Sequence, residues 1–146
     1  MKKIIILAGI TALTAVAALP VRAEDTRELA PLKPEARETL RQEMFDNLLA
    51  LQQIVTLLAA NQVKEAGEVA EKELGRSAMG RNASKPFEAR PGPQMPRPMH
   101  DIGISGHLAA TDFARAAASG DRDKALAALP AMVGTCVACH ASYRTR

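Results

Sequence analysis

The chain reads as an all-α protein, an antiparallel four-helix bundle, and three features predict it. Apolar residues return every three or four positions along four stretches, the spacing that lays one stripe along a helix. Runs of alternating β-branched residues, the mark of a strand, do not occur downstream of residue 23. Two short breaks and one long proline-rich one separate the four stretches, as an up-down-up-down bundle requires.

The first helix is expected over roughly 34 to 60, with Pro34 suited to a first helical position. Leu40, Met44, Leu48, Leu51, Val55 and Leu58 form its apolar stripe. A second helix, about 62 to 80, turns Val63, Gly67, Ala70 and Leu74 inward and is stopped by Gly80. Five prolines between Pro86 and Pro98 cannot be helix interior, so residues 81 to 99 read as an extended, solvated connection. The third helix runs from about Asp101, as N-cap, to Ala118, with Ile102, Gly106, Ala109, Phe113 and Ala116 facing in. Ser119-Gly120-Asp121 supplies a stop and a fresh cap. The fourth helix starts near 122 and carries Leu126, Leu129, Val133, Cys136 and His140 on one stripe, with a kink expected at Pro130.

Residues 1 to 23 have the plan of a secretory signal peptide: two lysines, an uncharged run from Ile4 to Val21, and Val21-Arg22-Ala23 before the expected cleavage. The run is interrupted by Gly9, Thr11, Thr14 and Pro20 and is short for a membrane span, so no stable insertion is expected after cleavage. Without Lys2, Lys3 and Arg22, the 19 basic residues fall to 16, equal to the 16 acidic ones. The formal charge of +3 therefore belongs to the leader and gives no reason to expect nucleic-acid binding. Residues 24 to 146, one domain's worth, contain only Phe45, Phe87, Phe113 and Tyr143 as aromatics. Their core must be built mainly from Leu, Ala, Val and Met, and a buried macrocycle would supply the large flat group it lacks.

Cys136 and Cys139 are the only cysteines, and His140 follows directly, giving Cys136-Val137-Ala138-Cys139-His140. Three chemistries use such a pair: a disulfide, a redox dithiol, and thioether attachment of haem. A disulfide here closes a very small loop and removes little unfolded-state entropy. A redox dithiol belongs where a strand meets the start of a helix, a setting that lowers one thiol's pKa. Zinc would need a fourth ligand beyond the three clustered here. Haem attachment uses every part of the motif: residues at i and i+3 share one side of a helix, and His140 is held beside the iron. Export fits as well, because thioether attachment takes place outside the cytoplasm.

At this point the sequence resembles the class II c-type cytochromes, the group of cytochrome c′ and its low-spin relatives. The resemblance rests on the late position of the motif, on Cys139-His140-Ala141-Ser142-Tyr143-Arg144 as a Cys-His-x-x-aromatic-Arg ending, and on the four helices before it. It implies one covalent haem c near one end of the bundle, His140 as proximal ligand, and a distal side formed by the first helix. It also implies that the sixth position is either open or filled by a Met of that helix, and Met44 stands where the low-spin members carry theirs. Members of this family often pair, so a homodimer through the first two helices, with Ala59, Ala60, Ala66 and Gly67 permitting close approach, is a further expectation.

Met44, Met79, Met95, Met99, Met132, His100 and His107 are the candidate sixth ligands. Met132 lies on the helix of His140 itself and cannot reach the opposite face of the ring. At about 1.5 Å per residue, the depth of His140 in its helix matches the low forties of the first, close to Met44. Tyr143 and Arg144 could cover a haem edge and pair with a propionate. Arg76, Arg81, Lys85, Arg90 and Arg97 face a single acid, Glu88, in a run that could steer an acidic partner. No nucleophile-base pair, carboxylate dyad or phosphate loop is apparent.

The expectation is a periplasmic monohaem cytochrome, not an enzyme, that passes single electrons between redox protein partners. The alternative is a five-coordinate binder of nitric oxide or carbon monoxide, and a third reading is a haem-free helical module with a disulfide.

Overall fold

A computed structural model of the chain describes residues 24–146; the leader expected over residues 1–23 lies outside the described residues. Pro34 opens the longest helix, α1 (Pro34–Ala59), where its missing N–H is no loss. Asn61, in the left-handed region with φ 60°, turns the chain out of α1, a conformation asparagine tolerates. The next helix, α2 (Val63–Val69), runs into a single π-helical stretch, Ala70–Leu74, closed by the Gly75 N–H donating to the Ala70 carbonyl at 2.8 Å.

This corrects the single helix expected over 62 to 80. The Glu71 carboxylate accepts hydrogen bonds from the Ser77 N–H at 3.1 Å, the Ser77 hydroxyl at 2.5 Å and the Thr111 hydroxyl at 2.6 Å. These bonds draw residues 75 to 77 back over the helix end, so the helix stops at Leu74 and Gly80 serves a later turn, with φ 73°. Two of these three bonds are local, and the third comes from Thr111, 40 residues along the chain.

The proline-rich connection is not simply extended. It holds two short 3-10 turns, Phe87–Ala89 and Gly92–Gln94, and Gln94 ties them together. Its side-chain amide donates to the carbonyls of Phe87, Glu88 and Arg90 and accepts from the Lys33 N–H at 3.0 Å. One glutamine thereby pins the connection to the start of α1.

The third helix, α3 (Arg97–Ala117), begins four residues before the expected Asp101. Pro98 fits its first turn, and Asp101 pairs with Arg97 one turn back at 2.9 Å instead of capping. Gly120, with φ 75°, then reverses the chain, and Asp121 caps α4 (Arg122–Ser142) as expected by accepting from the Lys124 N–H at 3.1 Å. The helix α4 continues through Pro130 to Ser142. A strand pair that the sequence did not signal completes the fold: β1 (Glu28–Leu29) runs parallel to β2 (Tyr143–Arg144). Two residues carry no periodicity, so only the tertiary meeting of the two segments makes them a ladder.

The helix α4 packs chiefly on α3, and α1 chiefly on α2, the π-helical stretch and the turn at Phe87–Ala89. Phe113 and Ile54 are the largest fully buried side chains, surrounded by Leu58, Val63, Ala66, Ala70, Ala110, Ala117, Ala125 and Met132. Gly67 lies so close to α3 that a Cβ there would sit 2.9 Å from that of Ala117. Ala66 and Gly67 are thus used inside the protomer, which corrects their assignment to a dimer contact. A second, smaller cluster of Ala30, Leu32, Ala36, Leu40 and Met99 has Met95, Cys139 and Tyr143 packed against it.

Phe113 is the one aromatic in the main cluster, and replacing it with alanine leaves a cavity where a fully buried ring stood. Phe113→Ala is expected to cost about 3–5 kcal/mol of unfolding free energy, read from the midpoint of a denaturant titration.

Candidate functional site

Cys136, Cys139 and His140 stand on the last two turns of α4. At 3.6 residues per turn, Cys136 lies about 40° and His140 about 80° around the helix from the buried Met132, with Cys139 about 20° to the other side. All three therefore share one side of the helix. Cys139 is half-buried against the smaller cluster, whereas Cys136 and His140 are exposed. This corrects the expectation that Cys136 and His140 lie on the packed stripe. The packed edge of α4 is Ala125 and Met132, and the expected stripe is a flank beside it, with Leu129 and Val133 half-buried and Leu126 exposed.

The same offset appears on α1. Its buried residues are Ala36, Thr39, Leu40, Ala50, Ile54 and Leu58, so only Leu40 and Leu58 of the expected stripe are buried and Leu51 is half-buried. Met44 is 36% exposed, Leu48 62% and Val55 49%. These three fall within an arc of about 40°. The helix α1 thus carries exposed apolar side chains along one flank, whereas on α4 only Leu126 of the stripe's aliphatic residues is exposed. Exposed apolar surface gathered on one flank of a helix, rather than scattered, marks a binding or contact face.

Both cysteines are free thiols. Burial pushes the Cys139 thiol above its usual range, and the neighbouring Cys136 adds to the rise. The pair also sits at the C-terminal end of its helix, where the helix dipole disfavours a thiolate. Both effects run opposite to what a nucleophilic dithiol needs. Among the described residues no three His, Cys, Asp or Glu side chains come together in a cluster fit to hold a metal ion by themselves.

The other expected ligands are dispersed. Met99 is buried in the smaller cluster and Met132 in the main one, Met95 packs on the smaller cluster, and Met79 is exposed beyond the π-helical stretch. His100 is half-buried, its ring within van der Waals reach of a Cβ placed on Gly92. His107 has a structural task that its spacing did not reveal. Its Nδ1 lies 2.7 Å from the Leu74 carbonyl oxygen and 3.1 Å from that of Gly75, so the ring nitrogen donates and satisfies the end of the π-helical stretch.

Near Met44, Glu43 turns inward and accepts a hydrogen bond from the Asn82 amide. Burial raises its carboxyl above the usual range, opposed by Arg81, His107, Asn82 and Lys85. A glutamate next to a candidate ligand looks in the sequence like a solvated helix residue, and only the approach of residues 81 to 85 buries it. Tyr143 and Arg144 form β2, where the Arg144 Nε–H donates to the Arg27 carbonyl at 3.1 Å and stands 3.9 Å from Asp25. Arg27 in turn reaches the His140 carbonyl at 3.3 Å. The segment before α1 therefore straps the end of α4 that carries Cys139 and His140 from outside.

In comparisons with protein families, curated proteins and solved structures, the chain gave no match.

Proposed function

We propose that the protein is a periplasmic monohaem c-type cytochrome of the class II kind, with the haem bound by thioethers to Cys136 and Cys139 in an antiparallel bundle. The observation that carries this reading is the coincidence of the motif with uncovered apolar surface. Cys136 and His140 are exposed on one side of α4, and Met44, Leu48 and Val55 line an exposed flank of α1. The residues fit the group: two thiols and an imidazole on one side of a continuous helix, apolar walls, and a half-buried arginine at the same end whose Nε finds no partner.

When bound, the haem supplies a ferric/ferrous couple that takes up and releases one electron. The chain's own residues set the conditions. His140 would hold the iron, and its carbonyl bond to Arg27 and the strap of β1 on β2 hold that end of α4 in place. Met44 would supply a second ligand, and Leu48 and Val55 would keep water from the haem. The role we propose is the carriage of single electrons.

The partners we propose are redox proteins with acidic faces. Residues 75 to 100 hold five cations against Glu88 alone, while the described chain as a whole is balanced. Lys33 approaches Glu88 at 4.0 Å and Arg97 pairs with Asp101. Arg81 and Lys85 lie close enough to Glu43 to lower its raised pKa, so part of this charge sits near α1. Charge of one sign beside a redox centre speeds encounter with a partner of the other sign.

The deciding experiment is mass spectrometry and visible spectroscopy of the protein matured with haem. A covalent haem mass that reductant does not remove, with sharp low-spin bands indifferent to carbon monoxide, is expected. An unmodified mass would overturn the proposal and return the cysteines to thiol chemistry. Broad high-spin bands that shift with the gas would instead favour the ligand-binding reading, which the 36% exposure of Met44 keeps in view.

A further inference from the structure

Arg37 stands in the first turns of α1, half-buried at the end of the bundle that holds Cys139. Among the described residues its Nε is shut off from solvent and has no hydrogen-bond partner. The guanidinium's one recorded bond is long, from Nη2 to the Leu32 carbonyl at 3.4 Å. Nearby acids are engaged elsewhere: Glu38 pairs with Arg41 at 2.8 Å, and Glu43 accepts from Asn82. A buried guanidinium N–H without an acceptor is rare in a folded protein, and each case calls for an explanation.

Arg37 precedes Met44 by seven residues, which puts it about 10 Å along α1 and about 20° around it. It thus stands on the uncovered apolar flank, two turns from the proposed axial ligand. Arg144, which the sequence marked for a carboxylate, is already donating to Arg27 and lies beside Asp25.

We propose that Arg37 holds a haem propionate, its Nε–H and an Nη–H donating to the two carboxylate oxygens as a fork. The inference rests on the reading of a haem at Cys136 and Cys139. Arginine suits the task because its planar, permanently charged group matches a carboxylate in two places at once. A fixed positive charge there favours the ferrous form, which carries one more electron.

The test uses the haem-loaded protein as wild type, Arg37→Gln, Arg37→Lys and Arg144→Gln, with the mass of each checked for covalent haem. Nitrogen-15 NMR of the reduced wild type is expected to show an arginine Nε–H protected from exchange, and Arg37→Gln should abolish it while Arg144→Gln leaves it. Arg37→Gln should also shift the ferrous/ferric balance about tenfold toward ferric, a fall of about 59 mV for one electron, with Arg37→Lys retaining part of the difference. The absence of a protected arginine Nε–H in the wild type, or its loss in Arg144→Gln instead, would overturn the assignment. If Arg37→Gln does not fold, the wild-type signal and the lysine and Arg144 variants still decide. A protein that carries no covalent haem fails the cytochrome reading instead, and the mass measurement separates the two failures.

Discussion

Replacing both Cys136 and Cys139 with serine is expected to leave a chain that retains no haem after denaturation and melts at a lower temperature than the matured wild type. The first effect is complete, because two thioethers are the only covalent route the chain offers. The second follows from the exposed flanks. Met44, Leu48 and Val55 are between about a third and two thirds exposed, so covering them completes roughly half of their burial. At about 1.5–3 kcal/mol for full burial of such a side chain, the three together account for about 3 kcal/mol. For a domain of this size that corresponds to a fall of roughly 10 °C in Tm. Calorimetry of the two proteins checks it. Equal melting temperatures would mean that the flanks are covered by something other than haem.

The second large effect is expected at Met44. Met44→Leu keeps the volume and the apolar character of the flank while removing the thioether sulfur, so stability should change by less than about 1.5 kcal/mol. The haem should pass from low to high spin and begin to bind carbon monoxide. The reduction potential should fall by about 100 mV, the shift produced when a ligand that binds ferrous iron about fiftyfold more tightly than ferric is lost, at 59 mV per tenfold. Spectra and potentiometry on the matured variant provide the check. An unchanged spectrum would remove Met44 from the iron. His107 is the next residue to try, and Met79 after it, although the Nδ1–H of His107 is already committed to the Leu74 carbonyl.

The two substitutions interrogate different parts of one reading. Cys136 and Cys139 test whether a haem is held at all, whereas Met44→Leu tests what completes its coordination. A haem that stays attached in Met44→Leu while its spin state changes is the pattern expected of an electron carrier. A haem already open in the wild type would identify a gas-binding protein on the same scaffold.

The four helices were legible in the sequence because each is long enough for its apolar period to repeat several times. Pro34, Gly120 and Asp121 act through local backbone chemistry, so their positions could be read without neighbours. The start of α3 shifts for a local reason, the fit of Pro98 in its first turn, but three other differences depend at least in part on distant partners. Glu71 reaches Thr111 on α3 to end the second helix at Leu74, Gln94 reaches the backbone of Lys33 to order the proline-rich connection, and β1 exists only because β2 lies beside it. None of these bonds leaves a periodic trace.

The candidate site divides in the same way. Cys136, Cys139 and His140 form a contiguous motif whose residue types and spacing by themselves single out the residues that would attach the proposed cofactor. Periodicity also marked the apolar stripes of both helices, since it reports how many apolar residues share a face. Which part of each stripe meets protein was decided only by the rotation of α1 and α4 in the packed structure. A stripe about 80° wide looks the same whether a neighbouring helix covers it or not. Arg37 and Glu43 show the limit most plainly: each reads as an ordinary charged residue of an amphipathic helix, and burial, which no spacing encodes, made one an unpaired cation and the other a carboxyl with a raised pKa.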